Sequence, residues 1–190
     1  VSKPKTHILD KSKELFERFG YQKTTLTDIA KSVGKVKTAI YYYFSGKEEI
    51  FAQLVKQESE EFFTQLQKAV DQQDSPLSKL ECYVETRITL MQKISSRYGF
   101  LKQEFFELMP IVEENRKEAH QKEQAYIEAI LTEGSKEGSF NVTSPAFGAA
   151  MLVGSLKGLE IQMYVTDQIL VEGLNLKDFR DYILYGVIQS

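Results

Sequence analysis

The sequence predicts an all-α protein, with an amino-terminal three-helix, helix-turn-helix domain over residues 1–46 and a helical bundle over residues 47–190, about nine helices in total. Three observations predict it. Apolar side chains recur at i, i+3 and i+4 along most of the chain. No strand-like alternation, low-complexity run or internal repeat interrupts that pattern. Turn signals at residues 72–76, 97–99, 109–110, 134–145 and 171–175 cut the remainder into helix-sized lengths. With 42% apolar and 27% charged residues among 190, the composition suits one or two globular units rather than a disordered chain.

The amino-terminal elements follow from local chemistry. Thr25 and Asp28 have the spacing of a reciprocal cap, which opens a second helix from about Leu26 to Val33. Gly34 then supplies the left-handed residue at which a helix stops and reverses, and the turn runs to Val36. From Lys37 the pattern is helical again. Ile40, Tyr43 and Phe44 share a buried face, which leaves Lys37, Thr38, Tyr41 and Tyr42 outside. A second cap, Ser45 with Glu48, opens a long helix at Gly46 to Lys47 that extends to about Asp71. A fifth helix is expected from about Pro76 to Ser95, a sixth from Gly99 to Leu108 and a seventh from Pro110 to Gly134. An eighth runs from Ser144 to Asp167 and a ninth from Leu176 to Ile188.

The string ILDKSKELFERFGYQKTTLTDIA followed by IYYYFSGKEEIF resembles the TetR family of bacterial transcriptional regulators over roughly Ile8 to Phe51. Phe16, Gly20, Tyr21, Thr24, Thr25, Ile29, Ala30, Gly34, Tyr41, Tyr43, Phe44, Lys47 and Glu48 carry the resemblance. The turn departs from it: the family's turn usually reads Gly-Val-Ser-Lys-Gly-Thr, whereas this chain has Gly34-Lys35-Val36-Lys37-Thr38-Ala39, so the serine that usually caps the recognition helix is Val36 and that helix starts less well capped.

Charge is distributed as a DNA reader requires. The net charge is −3, yet residues 1–47 carry ten basic against four acidic side chains, a balance of +6, and the remaining residues carry 14 against 23, a balance of −9. A basic head on an acidic body orients toward a polyanion. The resemblance implies base-edge or groove contacts for Lys37, Thr38, Ala39 and Tyr41, with Lys37 suited to guanine acceptors. Lys35 fits either groove or backbone. Thr25, Thr27, Tyr42 and Lys47 are expected to touch phosphates, which position a protein without reading sequence. Lys3 and Lys5 are expected as an arm over the backbone.

In the body, Tyr83, Ile88, Met91, Phe100, Phe105, Phe106, Met109, Tyr126, Ile130, Phe147 and Met151 form an aromatic and methionine-rich set that either packs as ordinary core or lines an apolar effector cavity. The family resemblance implies the cavity, with Arg87, Gln92, Gln103 or His120 as polar contacts and an apolar or amphipathic small molecule as effector. Small residues from Gly148 to Gly158 allow close helix approach. The resemblance therefore makes Leu152, Leu156, Leu159, Met163, Phe179, Ile183 and Val187 candidates for a homodimer interface, the alternative being an intrachain packing face, and a twofold dimer reads a palindromic operator.

Other function classes find little support. A single Cys82 and two distant histidines, His7 and His120, give neither a disulfide nor a zinc site, and no cofactor or metal is expected. No phosphate loop, nucleophile elbow or other catalytic constellation is present, so the chain is not expected to be an enzyme. The start lacks the apolar core of a signal peptide and no apolar run reaches a membrane span, so a cytoplasmic location without membrane contact is expected. The expected function is a ligand-responsive transcriptional repressor. The alternative is a helical adaptor that binds a ligand or protein and has lost specific DNA binding.

Overall fold

The computed structural model describes residues 3–99, 103–166, 178 and 180–184. Among them the regular structure is helical: α1 (Lys3–Phe19), α2 (Leu26–Ser32), α3 (Lys37–Tyr41), α4 (Lys47–Val70), α5 (Pro76–Arg97), α6 (Phe105–Lys136) and α7 (Pro145–Thr166), with further helical residues at 178 and 180–184. Most of the ninth expected helix lies outside the described residues.

Two compact units emerge from packing. The first takes residues up to Ser59 together with Ile94–Lys117, and the second takes Glu60–Lys93 and the residues from Glu118 onward. The first core gathers Ile8, Leu9 and Phe16 of α1, Ile29 and Ala30 of α2, Ile40 and Phe44, Ile50, Phe51 and Leu54 of α4, and Leu108 and Val112 of α6. At its centre Phe16, Tyr21 and Phe51 meet with ring centres 5.0 to 5.9 Å apart. Gly20, at φ 85°, lets the chain leave α1 directly into Tyr21. The second core joins Leu66 and Val70 of α4, Leu80, Tyr83, Val84 and Ile88 of α5, Ile127, Ile130 and Leu131 of α6, and Ala149, Val153, Leu156 and Leu159 of α7.

One expected break is absent. The turn anticipated at Met109 and Pro110 does not form, and the expected sixth and seventh helices are largely one, α6, with Pro110 inside it. Proline's fixed φ is helical, and Pro110 costs α6 the bond its own N–H would have made to the Phe106 carbonyl and crowds that carbonyl with its ring. The burial of Leu108 and Val112 on either side holds the helix together across it. Near the other end, Gly134 accepts the Ser139 and Phe140 amides, and a Cβ on it would lie 2.2 Å from the Phe140 ring. Glycine is required there by the ring.

Candidate functional site

The α2–α3 pair is built as its sequence requires. The Thr25 hydroxyl oxygen accepts the Asp28 amide at 3.2 Å, while the Asp28 carboxylate accepts the Thr25 amide at 3.0 Å. These bonds hold the Asp28 carboxyl below its ordinary range, the Thr25 side-chain bond contributing most. The Thr25 hydroxyl also donates to Asp28 at 2.6 Å, so its proton is already committed. Gly34 turns at φ 66°, and the Lys35 amide returns to the Ala30 carbonyl at 2.8 Å. α3 then buries Ile40, with Phe44 just beyond it, and leaves Lys37, Thr38, Tyr41 and Tyr42 exposed, Tyr42 by 84%. Lys35 is exposed, Ala39 is half-buried, and the Lys37 ammonium stands 5.8 Å from the centre of the Tyr41 ring. Thr27 is exposed in the first turn of α2. No side chain caps α3 at Val36.

Two local expectations change, and a third residue has bonds within the head that were not expected. Ser45 is bonded by Glu49 rather than Glu48: one Glu49 oxygen accepts both its amide and its hydroxyl, at 2.6 and 2.8 Å. Lys3 and Lys5 belong to α1 and form no arm, and the Lys5 ammonium lies over the Phe44 ring at 5.0 Å. Lys47, expected on a phosphate, donates to the Tyr21 carbonyl at 2.7 Å and to Gln22 at 3.4 Å, above the Tyr21 ring. Burial lowers its pKa, with Glu104 opposing.

The same loop is held from a distant part of the chain. The Gln22 amide donates to both carboxylate oxygens of Glu104, at 3.1 and 3.2 Å, and the Gln22 side-chain amide donates to Glu107. Glu58 of α4 accepts from Lys13 and, at 3.3 Å, from Arg97, which also lies 3.8 Å from Glu17. Burial first, then Glu58 and Glu17, push the Tyr98 hydroxyl well above its usual pKa. Nothing in the sequence announced Glu104 or Glu107, because 82 and 85 residues separate them from Gln22.

In the second unit, Tyr83, Arg87, Ile88, Met91 and Ile130 are buried and Tyr126 is half-buried, its hydroxyl donating to Asp71 at 2.5 Å. The Tyr83 hydroxyl and Arg87 Nε donate to the same Glu123 oxygen, at 2.8 and 2.7 Å. Arg87 Nη2 lies 3.8 Å from Glu160, beyond hydrogen-bond reach. Burial alone would lower the Arg87 pKa, but Glu123, Tyr83 and Glu160 outweigh it and hold the guanidinium above its usual value. Glu123 and Glu160 were missed in sequence, although an arginine on the apolar face of α5 signals a buried acid elsewhere.

Several expected lining residues are placed otherwise. Phe105 and Met109 belong to the first unit, where Met109 packs on the first core. Phe106, Phe147 and Met151 point to solvent, being 85%, 67% and 54% exposed. Phe100 lies outside the described residues. Two of the residues expected at the interface are corrected in the same way. Leu156 and Leu159 are buried in their own unit's core, and Leu152 and Ile183 pack against it. The opposite face of α7, with Phe147, Met151, Gly154, Gly158 and Ile161, is the exposed one. The Met163 side chain, Phe179 and Val187 lie outside the described residues.

Among the described residues, no group of three or more His, Cys, Asp or Glu is placed to hold a metal ion, and no helix is long and apolar enough to cross a membrane.

Residues 8–54 match the family model of bacterial regulatory proteins of the tetR family. The HTH-type transcriptional regulator YfiR of Bacillus subtilis is 23% identical over 146 residues, 75% of this chain and 71% of that protein. The negative transcriptional regulator of the biofilm operon icaADBC, IcaR of Staphylococcus aureus, is 48% identical over 52 residues, only 27% of this chain and 28% of that protein. The crystal structure of a TetR/AcrR-family regulator from Thermobifida fusca superposes with a TM-score of 0.71 at 23% identity, covering 96% of this chain and 94% of that one. That likeness is one of fold, and it reaches beyond residues 8–54.

Proposed function

From the premise that this chain belongs to the TetR family through its residues 8–54 and is a DNA-binding transcriptional regulator, we propose that it represses from a palindromic operator and is released by a small molecule. One observation supports the reading above the rest. The surface from Lys35 to Tyr42 exposes lysines, a threonine and two tyrosines while Ile40 anchors it from behind. Lys35, Lys37, Thr38, Ala39 and Tyr41 serve the major groove. Thr27 and Tyr42 donate to phosphates, and Lys47 adds the proton that its two carbonyl bonds leave over. Thr25 acts through the cap it gives α2 rather than through a free hydroxyl.

The dimer forms through the exposed face of α7, where Gly154 and Gly158 leave room for a second helix and Phe147, Met151 and Ile161 supply apolar area. The effector is apolar or amphipathic and binds among Tyr83, Arg87, Ile88, Met91, Tyr126 and Ile130. To release DNA it must prefer the arrangement that does not fit the operator, and a coupling of about 1 to 3 kcal/mol weakens binding about 5- to 150-fold. Repression is the sign carried by the name of the IcaR protein, whose similarity covers only the head.

Selection of bound sequences from random duplex DNA, followed by titration of the best site against salt, tests the proposal. An enriched palindrome with a steep salt slope is expected. A folded protein that enriches no sequence supports the second reading, an adaptor without specific DNA binding, which the uncapped start of α3 favours.

A further inference from the structure

Val36 sits in the middle of the surface assigned to DNA, and the fold gives no reason for its identity. It precedes α3 in extended backbone, φ −91° and ψ 156°, a conformation that suits a β-branched residue. It offers α3 no side-chain cap, whereas serine, threonine, asparagine or aspartate would. It contributes nothing to the apolar core beneath, which takes Ile40 and Phe44 from this segment, and 69% of it is exposed. An apolar, β-branched side chain stands where a capping one would stabilise α3, and most of it is left to solvent. The compensation must come from what covers that side chain.

Charge selects the occupant. Lys35 and Lys37 flank Val36, both exposed, within a head whose balance is +6. A polyanion is drawn to this point, and the apolar group that a DNA major groove presents is the C5-methyl of thymine. Valine has no donor or acceptor with which to read any other base edge.

We infer that Val36 is a specificity-determining residue whose γ-methyls pack on the C5-methyl of a thymine in each half-site. The inference rests on the DNA-binding reading above. Removing one buried methyl is worth about three- to fivefold in affinity. Cytosine at that position is disfavoured further, since its amino group would meet valine instead of an acceptor.

The test replaces each thymine of the selected duplex in turn by deoxyuridine, which removes the methyl group and leaves the pairing edge intact. Wild-type protein is expected to lose about three- to fivefold at one thymine per half-site. Val36→Ser is expected to lose that sensitivity and keep every other position's profile. Val36→Ala, which shortens the side chain without adding a hydroxyl, separates loss of the methyl contact from any gain in capping; its residual sensitivity is expected between the two. Identical uracil profiles for wild type and both variants, with all three binding, overturn the role of Val36 alone. Failure of wild type to bind any duplex overturns the DNA-binding reading and this inference with it.

Discussion

The ammonium of Lys47 donates to the backbone carbonyl of Tyr21 at 2.7 Å and stands 4.2 Å from the centre of the same residue's ring. The first residue of α4 thereby fixes the loop between α1 and α2. A side chain expected only to meet DNA also holds the head together. Lys47→Ala is therefore expected to cost about 1 kcal/mol of stability as well as weakening DNA binding on all sequences and flattening its salt dependence. Denaturant unfolding beside salt titration separates the two, and unchanged stability would leave Lys47 with a DNA role alone.

The loop has a second restraint in Glu104, which receives the Gln22 amide on both oxygens. Glu104→Ala is expected to raise hydrogen exchange at the Gln22 amide about tenfold, while amides within α2 keep their protection. Exchange at Gln22 that matches wild type would mean that Lys47 suffices to hold the loop.

Acid should open α2 at its start. The Asp28 carboxyl titrates below its ordinary value because it is bonded in the folded state, so its contribution is present above the ordinary carboxylate range and is lost as pH falls through the lowered folded pKa. Protection of the first-turn amides of α2, followed by NMR during acidification, is expected to fall in that window. In Asp28→Asn the fall should vanish from the same window. Thr25→Ala, which removes the reciprocal partner, is expected to cost about 1 kcal/mol at neutral pH.

Arg87 and Glu123 form a buried pair 2.7 Å apart, and removing one partner strands the other. Arg87→Met is expected to destabilise by about 3 to 5 kcal/mol. Combining it with Glu123→Gln should recover part of that loss, because the Glu123 charge disappears while that of Glu160 stays. A double variant no more stable than Arg87→Met in thermal unfolding would argue against charge as the cause.

The α7 face can be tested without disturbing its own core, since nothing lies within 4 Å of a Cβ added at Gly154. Gly154→Arg is expected to convert a dimer to a monomer in sedimentation, with helix content unchanged. A dimer that survives the arginine places the interface elsewhere.

Local features were legible in the sequence because they are decided by neighbours. The Thr25–Asp28 cap, the left-handed Gly34 and the buried Ile40 with exposed Lys37 and Tyr42 each follow from spacings of three or four residues and from the geometry of a single turn. The distribution of charge added the basic head. The resemblance over residues 8–54 supplied what periodicity lacks, the identity of the partner molecule.

Tertiary structure decided what depends on distant parts of the chain. Leu156 and Leu159 were expected at an interface and Phe147 and Met151 on a cavity, but packing put the leucines inward and Phe147 and Met151 outward. A proline signalled a break at 110, yet burial of Leu108 and Val112 outweighed the lost hydrogen bond and the crowding by its ring. The Glu104–Gln22 clamp and the Arg87–Glu123 pair join residues 82 and 36 positions apart, respectively. The sequence by itself determined the α2 cap, the turn at Gly34 and the buried and exposed faces of α3, because those energies are local. Only the fold could decide which faces are left for solvent and partners, because that depends on which distant side chains arrive to cover the others.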